Sequence, residues 1–416
     1  MTGRSLAGWL EYIERQHPQA IALGLERVVE VFSRLKIKFS CPILTVGGTN
    51  GKGSTCAMLE AVLGSAGYRT GLYTSPHLLR YNERVRIAGR EADDAALCGA
   101  FDAVERARGT VPLTYFEFGT LAAFFLFSKE NLEALILEVG LGGRLDAVNM
   151  LDADCAVLTS IGIDHVEYLG ATREDIGREK AGIFRSGRPA VVADPLPPKS
   201  VLEHSQRMDS RLLLLDRDFG YVKQGTQWSC WGPAGKRSGL AHPALRGVAQ
   251  LRNASAAIAA LDTLRERLPI AMQDVRRGLA DVALPGRFQV LPGRPQVVLD
   301  VAHNPEAAAV LAANLGESGF SPETIAVFGM LRDKDIAGVV RAVAPRITRW
   351  HLATLPGPRG ADAGQLMNVM TQEKIKTPAF RHENVAAALA AARSEAGEGD
   401  KIIVFGSFLT VAGAYG

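Results

Sequence analysis

The stretch Leu44-Thr45-Val46-Gly47-Gly48-Thr49-Asn50-Gly51-Lys52-Gly53-Ser54-Thr55 constrains the fold more than any other part of the chain. Apolar Ile43 to Val46 reads as a buried parallel strand. A glycine-rich turn follows, and Thr55 to Ala66 carries Met58, Leu59, Val62 and Leu63 at helical spacing. Strand, glycine turn and helix make a phosphate cradle. The glycines let backbone N–H groups approach phosphates, the helix N-terminus adds partial positive charge, and Lys52 reaches the terminal phosphates. Ser54 or Thr55 is then placed to touch a magnesium ion. The usual pattern has glycine five residues before the second glycine; here Val46 holds that position, and Gly53 separates Lys52 from Ser54. A turn that merely joins strand to helix does not need a lysine with glycine on both sides, so the nucleotide-phosphate reading is preferred.

Further strands end in polar residues, where α/β proteins bind ligands in the crevice at the carboxyl ends of parallel strands. Thr70 to Tyr73 leads into Thr74-Ser75-Pro76-His77-Leu78; Ser75 is a metal or phosphate contact or, taken alone, a strand-end cap. Ala134 to Leu137 ends in Glu138, followed by Val139-Gly140-Leu141-Gly142-Gly143-Arg144-Leu145-Asp146. An acidic residue there, after a phosphate loop, is the usual ligand of nucleotide magnesium. Ala156 to Ile161 is another expected strand, with His165 beyond it. Ser75, Glu138 and His165 could therefore converge on one metal, although hard cations prefer oxygen and His165 is equally a structural residue. Lys180, in Ile176 to Phe184, reads by itself as a solvated helix lysine.

In Thr114-Tyr115-Phe116-Glu117-Phe118 the aromatics read as core, with a helix following to Phe127. The glutamate between them needs a partner if buried. Residues 5 to 36 form a helical pair, with Ser5 as a cap and His17 to Leu25 as the intervening loop. Residues 194 to 250 suggest antiparallel strands and little chemistry, and Leu251 opens an alanine-rich helix to about Leu268. After Leu284-Pro285-Gly286-Arg287-Phe288, strands and helices alternate again: Gln296 to Leu299, Thr324 to Phe328, Trp350 to Ala353 and Lys401 to Phe405, with helices between. Asp300, His303 and Arg287 carry plain structural alternatives. The chain thus reads as α/β throughout, with a second unit after a boundary near residues 286 to 295.

At 416 residues the chain is long enough for two or more domains at roughly 150 residues each. A net charge of +3, from 47 basic and 44 acidic residues, argues against nucleic acid or an anionic membrane surface as partner. No apolar run approaches a membrane span. Cysteines 41, 56, 98, 155 and 230 include no C-x-x-C pair, which fits a reducing cytoplasm rather than a zinc or disulfide framework.

Taken together, Gly48 to Ser54, Thr74 to Leu78, Leu137 to Asp146, Glu179-Lys180-Ala181-Gly182-Ile183-Phe184, Pro285-Gly286-Arg287 and Asp300-Val301-Ala302-His303-Asn304-Pro305 resemble folylpolyglutamate synthases. The closest resemblance is to the bacterial bifunctional dihydrofolate synthase/folylpolyglutamate synthase family, relatives of the Mur ligases. It covers nearly the whole chain in order. It implies a P-loop, Mur-ligase-like ATPase and pterin-binding domain over residues 1–285 with a mostly parallel sheet, a linker at 286–295, and a smaller Rossmann-like α/β domain over 296–416 that binds glutamate. It implies a cytoplasmic monomer that uses ATP and Mg2+ to add L-glutamate to dihydropteroate and to tetrahydrofolate, through an acyl phosphate.

Residue by residue, the resemblance implies that Thr49, Asn50, Gly51, Lys52, Gly53 and Ser54 hold the ATP phosphates. Asn253, Arg287, Asp300 and His303 would also meet the nucleotide, with Arg287 and Asp300 reaching from across the domain cleft. Ser75, Glu138, His165 and Lys180, the lysine as a carbamate, would hold metal, and Lys52, Lys180 and His165 would serve catalysis. Ile21, Ala22, Leu23, Gly24, Thr114, Tyr115, Phe116, Glu117, Leu145, Asp146 and Ala147 would face the pterin or folate. The family has Asp where this chain has Ala22, and His where it has Leu409. Two other readings share the phosphate loop: a cell-wall ligase acting on a different carboxylate, and a regulatory or transport ATPase.

Overall fold

The computed structural model describes residues 4–19 and 21–415. They form two compact units. One runs to Ala244 and resumes over Leu251–Val282; the other comprises Leu245–Gln250 and the chain from Ala283.

The first unit is built on an eight-stranded sheet. Its strands are β1 (Ile43–Gly47), β2 (Thr70–Tyr73), β3 (Val85–Ile87), β4 (Arg90–Glu91), β5 (Ala134–Glu138), β6 (Cys155–Leu158), β7 (Pro189–Val192) and β8 (Arg211–Leu214). Their order is β4-β3-β2-β5-β1-β6-β7-β8, parallel from β2 to β8, with β3 and β4 antiparallel at one edge. Every residue of β1, β2, β5, β6 and β7 is buried, as expected of parallel strands covered on both faces. The register sets Val46 beside Glu138 and Gly47 beside Leu158, so the loops after β1, β2, β5 and β6 leave the sheet on the same side.

The helical pair at the N-terminus is Leu6–Glu14 and Glu26–Leu35, and Ser5 caps the first by accepting from Gly8 N at 3.2 Å. With Asp94–Arg108 and Tyr115–Phe127 these helices build an aromatic core of Trp9, Phe101, Phe118 and Phe124. The helix after the phosphate loop begins at Lys52, three residues before the expected start, because Gly51 already ends the turn. The strand expected over Ala156 to Ile161 stops at Leu158; beyond it Thr159 and Ser160 turn their polar groups to the phosphate loop.

The chain from 194 to 250 contains the helix Lys199–Met208 and strand β8 as well as the antiparallel meander β9 (Gly220–Gln224), β10 (Gln227–Gly232) and β11 (Gly235–Ala241). The prolines at 195, 197 and 198 precede that helix rather than exclude one, and Pro198 is its N-cap residue. The alanine-rich helix covers Gln250–Thr263, and a further helix, Met272–Asp281, follows it.

The second unit carries a six-stranded sheet of β12 (Gln289–Leu291), β13 (Gln296–Asp300), β14 (Thr324–Phe328), β15 (Arg349–Ala353), β16 (Ala379–His382) and β17 (Lys401–Phe405). The order is β12-β13-β17-β14-β15-β16, parallel except for β12. Residues 286–295, expected as a linker, thus supply an edge strand paired with β13. Trp350, Phe328 and Phe405 fill its centre. Among the described residues, no helix is long and apolar enough to cross a membrane.

Candidate active site

The phosphate loop is held by the loop that follows β6. Thr49 N donates to Ser160 O at 2.7 Å, Asn50 N to Ser160 Oγ at 3.0 Å, and Thr49 Oγ1 to Gly162 O at 3.0 Å. Thr159 Oγ1 donates to Asn50 O at 2.6 Å and Gly47 O at 3.2 Å. Gly48 has φ +143°, and a Cβ there would overlap Thr159 Oγ1. Only glycine fits both the backbone angle and the space. Gly51, at φ +89°, lies under Asn253: a Cβ on it would sit 2.8 Å from Asn253 Oδ1, so Asn253 is brought to the loop as expected. Gly53 and Ser54 fall in the first helical turn, whose backbone N–H groups have no partner within the helix. Thr55, the other candidate metal contact, is fully buried and its hydroxyl has no hydrogen-bond partner.

Lys52 Nζ curls over the loop, donating to Gly48 O at 3.0 Å and Thr49 O at 3.2 Å. Lys180 is not the solvated lysine its local sequence suggests. It sits in the last turn of the helix Arg173–Ala181, is 4% exposed, and donates from Nζ to the same Gly48 O at 3.0 Å. Two ammonium groups therefore converge on one carbonyl.

Glu138 ends β5 and is buried; its Oε2 accepts from Ser75 N at 3.2 Å, which brings two of the expected metal residues together. His165 lies seven residues beyond the end of β6, not at the strand terminus. It holds φ +52° ahead of the short helix Val166–Leu169, and its N donates to Asp164 Oδ1 at 2.8 Å. Among the described residues, no group of three or more His, Cys, Asp or Glu is disposed to hold a metal.

Asp146 is buried, accepting from Leu141 N at 2.8 Å and Val148 N at 3.0 Å. Burial pushes its carboxyl up to about 6, against the opposing pull of those amides and of Lys52. The two other expected pterin-facing segments are joined by a residue that sequence reasoning missed. Arg27 donates from Nη2 to Ala22 O at 2.8 Å and to Glu117 Oε1 at 2.7 Å, with Nε at 3.1 Å from the same oxygen. Glu117 Oε2 accepts from Thr114 N at 2.7 Å in a capping box. The Glu117 carboxylate is thus engaged within the fold. Phe116 lies against Tyr73 (ring centroids 6.0 Å apart), and Tyr115 packs edge-on to Tyr81.

In the second unit, Asp300 ends β13 and accepts from Phe288 N at 2.9 Å and Ala302 N at 2.8 Å. Burial pushes it up to about 6, opposed by those amides and Arg287. The Arg287 guanidinium lies 5.1 Å from the Phe408 ring, and the His303 ring is 6.3 Å from the same phenyl. These three expected nucleotide residues therefore form one cluster. Leu409, beside Phe408, is 46% exposed.

A cradle for phosphate, a carboxylate and a serine at its side, and two amines above it equip this sheet edge to bind a nucleotide and steady developing negative charge. Comparison with known proteins gives the chemistry its context. Residues 46–261 match the Mur ligase middle domain, and residues 286–408 match the Mur ligase glutamate ligase domain. The chain is 44% identical to the dihydrofolate synthase/folylpolyglutamate synthase of Escherichia coli K12, covering 98% of this chain and 94% of that protein. The chain belongs to the dihydrofolate synthase/folylpolyglutamate synthase family of Mur ligases. A solved structure of E. coli FolC in complex with DHPP and ADP superposes with a TM-score of 0.93, covering 99% of this chain and 97% of that one. A bifunctional folylpolyglutamate synthase/dihydrofolate synthase with Mn, AMPPNP and L-glutamate bound gives 0.90 at 45% identity, covering 98% and 97%.

Of the residues sequence reasoning missed, Thr159 and Ser160 carried a signal. They are hydroxyl residues just after an apolar strand, the same cue that singled out Ser75. Arg27 carried none.

Proposed function

We propose that the protein is an ATP-dependent ligase that adds L-glutamate to dihydropteroate, forming dihydrofolate, and to folates such as tetrahydrofolate, forming folylpolyglutamates. The observation that carries the reading is the glycine cradle with Lys52 and Lys180 converging on Gly48 O, in a chain of this family throughout its length.

The acceptor carboxylate attacks the ATP γ-phosphorus, ADP leaves, and an acyl phosphate forms. The amine of L-glutamate then attacks the acyl carbon. The amide forms as inorganic phosphate leaves and the amine loses a proton. No side-chain nucleophile is needed. Thr49 to Ser54 hold the phosphates, and Lys52 with the loop amides steadies charge on the transferring oxygens. Asn253, Arg287, Asp300 and His303 are assigned to the nucleotide. L-glutamate is assigned to the second unit, from residue 296.

Glu138 and Ser75 suit a divalent cation of the magnesium type. Both offer hard oxygen, and magnesium binds through one or two protein oxygens with water and phosphate completing its shell. That cation would neutralise phosphate charge. His165 and a carbamate on Lys180 complete the proposed set. A carbamate there would turn the buried Lys180 amine into an oxygen ligand for a divalent cation that an ammonium would repel.

The acceptor is assigned to Ile21–Gly24, Thr114–Glu117 and Leu145–Ala147. Arg27 anchors the first of these through the Ala22 carbonyl, so a side-chain acid at position 22 is not required to place that loop. Free, scattered cysteines suit a cytoplasmic protein, and a monomer is taken as the working form.

The test is ADP and phosphate release with ATP, magnesium and L-glutamate, with dihydropteroate or tetrahydrofolate in separate reactions. Release with both is expected. Release with tetrahydrofolate alone would remove the dihydropteroate activity from the reading, and release with neither would overturn it.

A further inference from the structure

Asn149 lies in the short 3-10 turn Ala147–Met150 and is 6% exposed. Its Nδ2 donates to Arg144 O at 3.0 Å and to Gly182 O at 3.1 Å. Its Oδ1 accepts from Arg185 Nη2 at 2.9 Å, and that same nitrogen donates to Asn149 O at 2.9 Å. Both amide hydrogens and the amide oxygen are therefore engaged. Flipping the amide would set its oxygen against two carbonyls and its NH2 against a guanidinium.

These partners belong to two separate segments. Arg144 sits in the loop that leads to Leu145, Asp146 and Ala147; Gly182 sits in the turn directly after the helix Arg173–Ala181, which carries Lys180 in its last turn. The segments touch closely at backbone level. Arg144 N donates to Glu179 O at 2.9 Å, and a Cβ on Gly143 would lie 2.8 Å from both Glu179 O and Lys180 O. Arg185 adds bonds to Gly182 O at 3.3 Å and Phe184 O at 3.1 Å, and pairs outward with exposed Asp152. With Lys180 bonded to Gly48 O, a continuous set of contacts runs from the phosphate loop to the loop that carries Asp146.

We propose that Asn149 is a positioning residue for the ligation. It fixes the acceptor-facing loop Leu145–Ala147 against the turn behind Lys180, and so sets the spacing between the acceptor side and the phosphate side of the site. The inference rests on the ligase reading above. Asn149 touches no substrate in it and acts through the two segments it joins.

The experiment measures KM for the acceptor and for ATP, with kcat and thermal melting, in wild type, Asn149→Ala, Asn149→Ser and Asp152→Ala. Losing both side-chain donors between the segments is expected to raise the acceptor KM of Asn149→Ala about tenfold while the KM for ATP stays within about twofold. Asn149→Ser, which keeps one hydroxyl donor, falls between it and wild type. Asp152→Ala, which removes only the exposed partner of Arg185, leaves both constants unchanged. An unaltered acceptor KM in Asn149→Ala, with turnover reduced only in proportion to folded protein, would overturn the proposal. Insoluble protein from both Asn149 variants would also overturn it, by making Asn149 a folding residue. Wild-type protein that releases no ADP with either acceptor would instead remove the ligase reading, and this inference with it.

Discussion

Gly48→Ala perturbs the cradle at one atom. The backbone there has φ +143°, and holding a non-glycine residue in such a region costs on the order of 1–3 kcal/mol. The added methyl also displaces Thr159 Oγ1, whose single proton is shared between Asn50 O and Gly47 O, at about 1 kcal/mol. Together these make ~2–4 kcal/mol, or roughly thirtyfold to a thousandfold in an equilibrium constant. Because Gly48 O also receives Lys52 and Lys180, relief by backbone movement would shift both amines. ADP affinity, measured by titration calorimetry beside a melting curve, is expected to fall by that factor. Thr159→Ala alone should cost about 1 kcal/mol, and nothing further in the Gly48→Ala background, since the same shared bond is already broken. ADP binding within twofold of wild type, or full additivity of the two penalties, would refute the steric argument.

Glu138→Ala should lower turnover by ~100-fold or more at millimolar magnesium; a near-normal rate would remove Glu138 from the metal set. Lys180→Ala should abolish turnover, and an intact-mass spectrum of active protein showing only unmodified lysine would count against the carbamate. Asp300 holds its proton more tightly folded than unfolded, so its contribution to stability is full below about pH 4 and is lost as pH rises through about 6. The melting temperature of Asp300→Asn, relative to wild type, should therefore climb between pH 4 and 7, and a flat difference would contradict it. Arg27→Ala leaves the Glu117 carboxylate, only 4% exposed, without its guanidinium. With Arg27 itself a quarter exposed, the expected cost is about 2–3 kcal/mol in denaturant unfolding, partly recovered by adding Glu117→Gln.

Much of this site was legible because it follows buried parallel strands. Ala134 to Leu137 is an unbroken apolar run and Ile43 to Val46 is broken only by Thr45, and whatever follows them faces the ligand edge. Its own segment left Lys180 looking solvated, and only the family resemblance moved it to the site, because a helix-borne lysine looks the same in sequence whether it meets solvent or a carbonyl brought from 132 residues away. Arg27 and Asn149 were invisible for a related reason: the segments they tie down, at Glu117 and Gly182, lie 90 and 33 residues distant, so local spacing carries no trace of the connection. The helix Phe408–Ala412 went unread because five residues are too few to show a period; Ala363–Gln372 went unread although Leu366, Met367, Val369 and Met370 recur at helical spacing. Glu117 is a different case. The need for a partner was evident, but a capping box and an arginine supplied it.

The bonds that tie Thr49 and Asn50 to the segment after β6 bear on how a nucleotide is selected. A four-residue loop such as Gly48–Gly51 that ordered only on contact would oppose binding by roughly 1–2 kcal/mol of conformational entropy per residue. In this chain that disorder is surrendered when the sheet forms, since neighbouring backbone and hydroxyl groups, rather than a guest, dictate the loop's shape. The recess is accordingly a rigid mould. It discriminates by what fits its fixed array of amides, and it has little capacity to reshape itself around a near-miss.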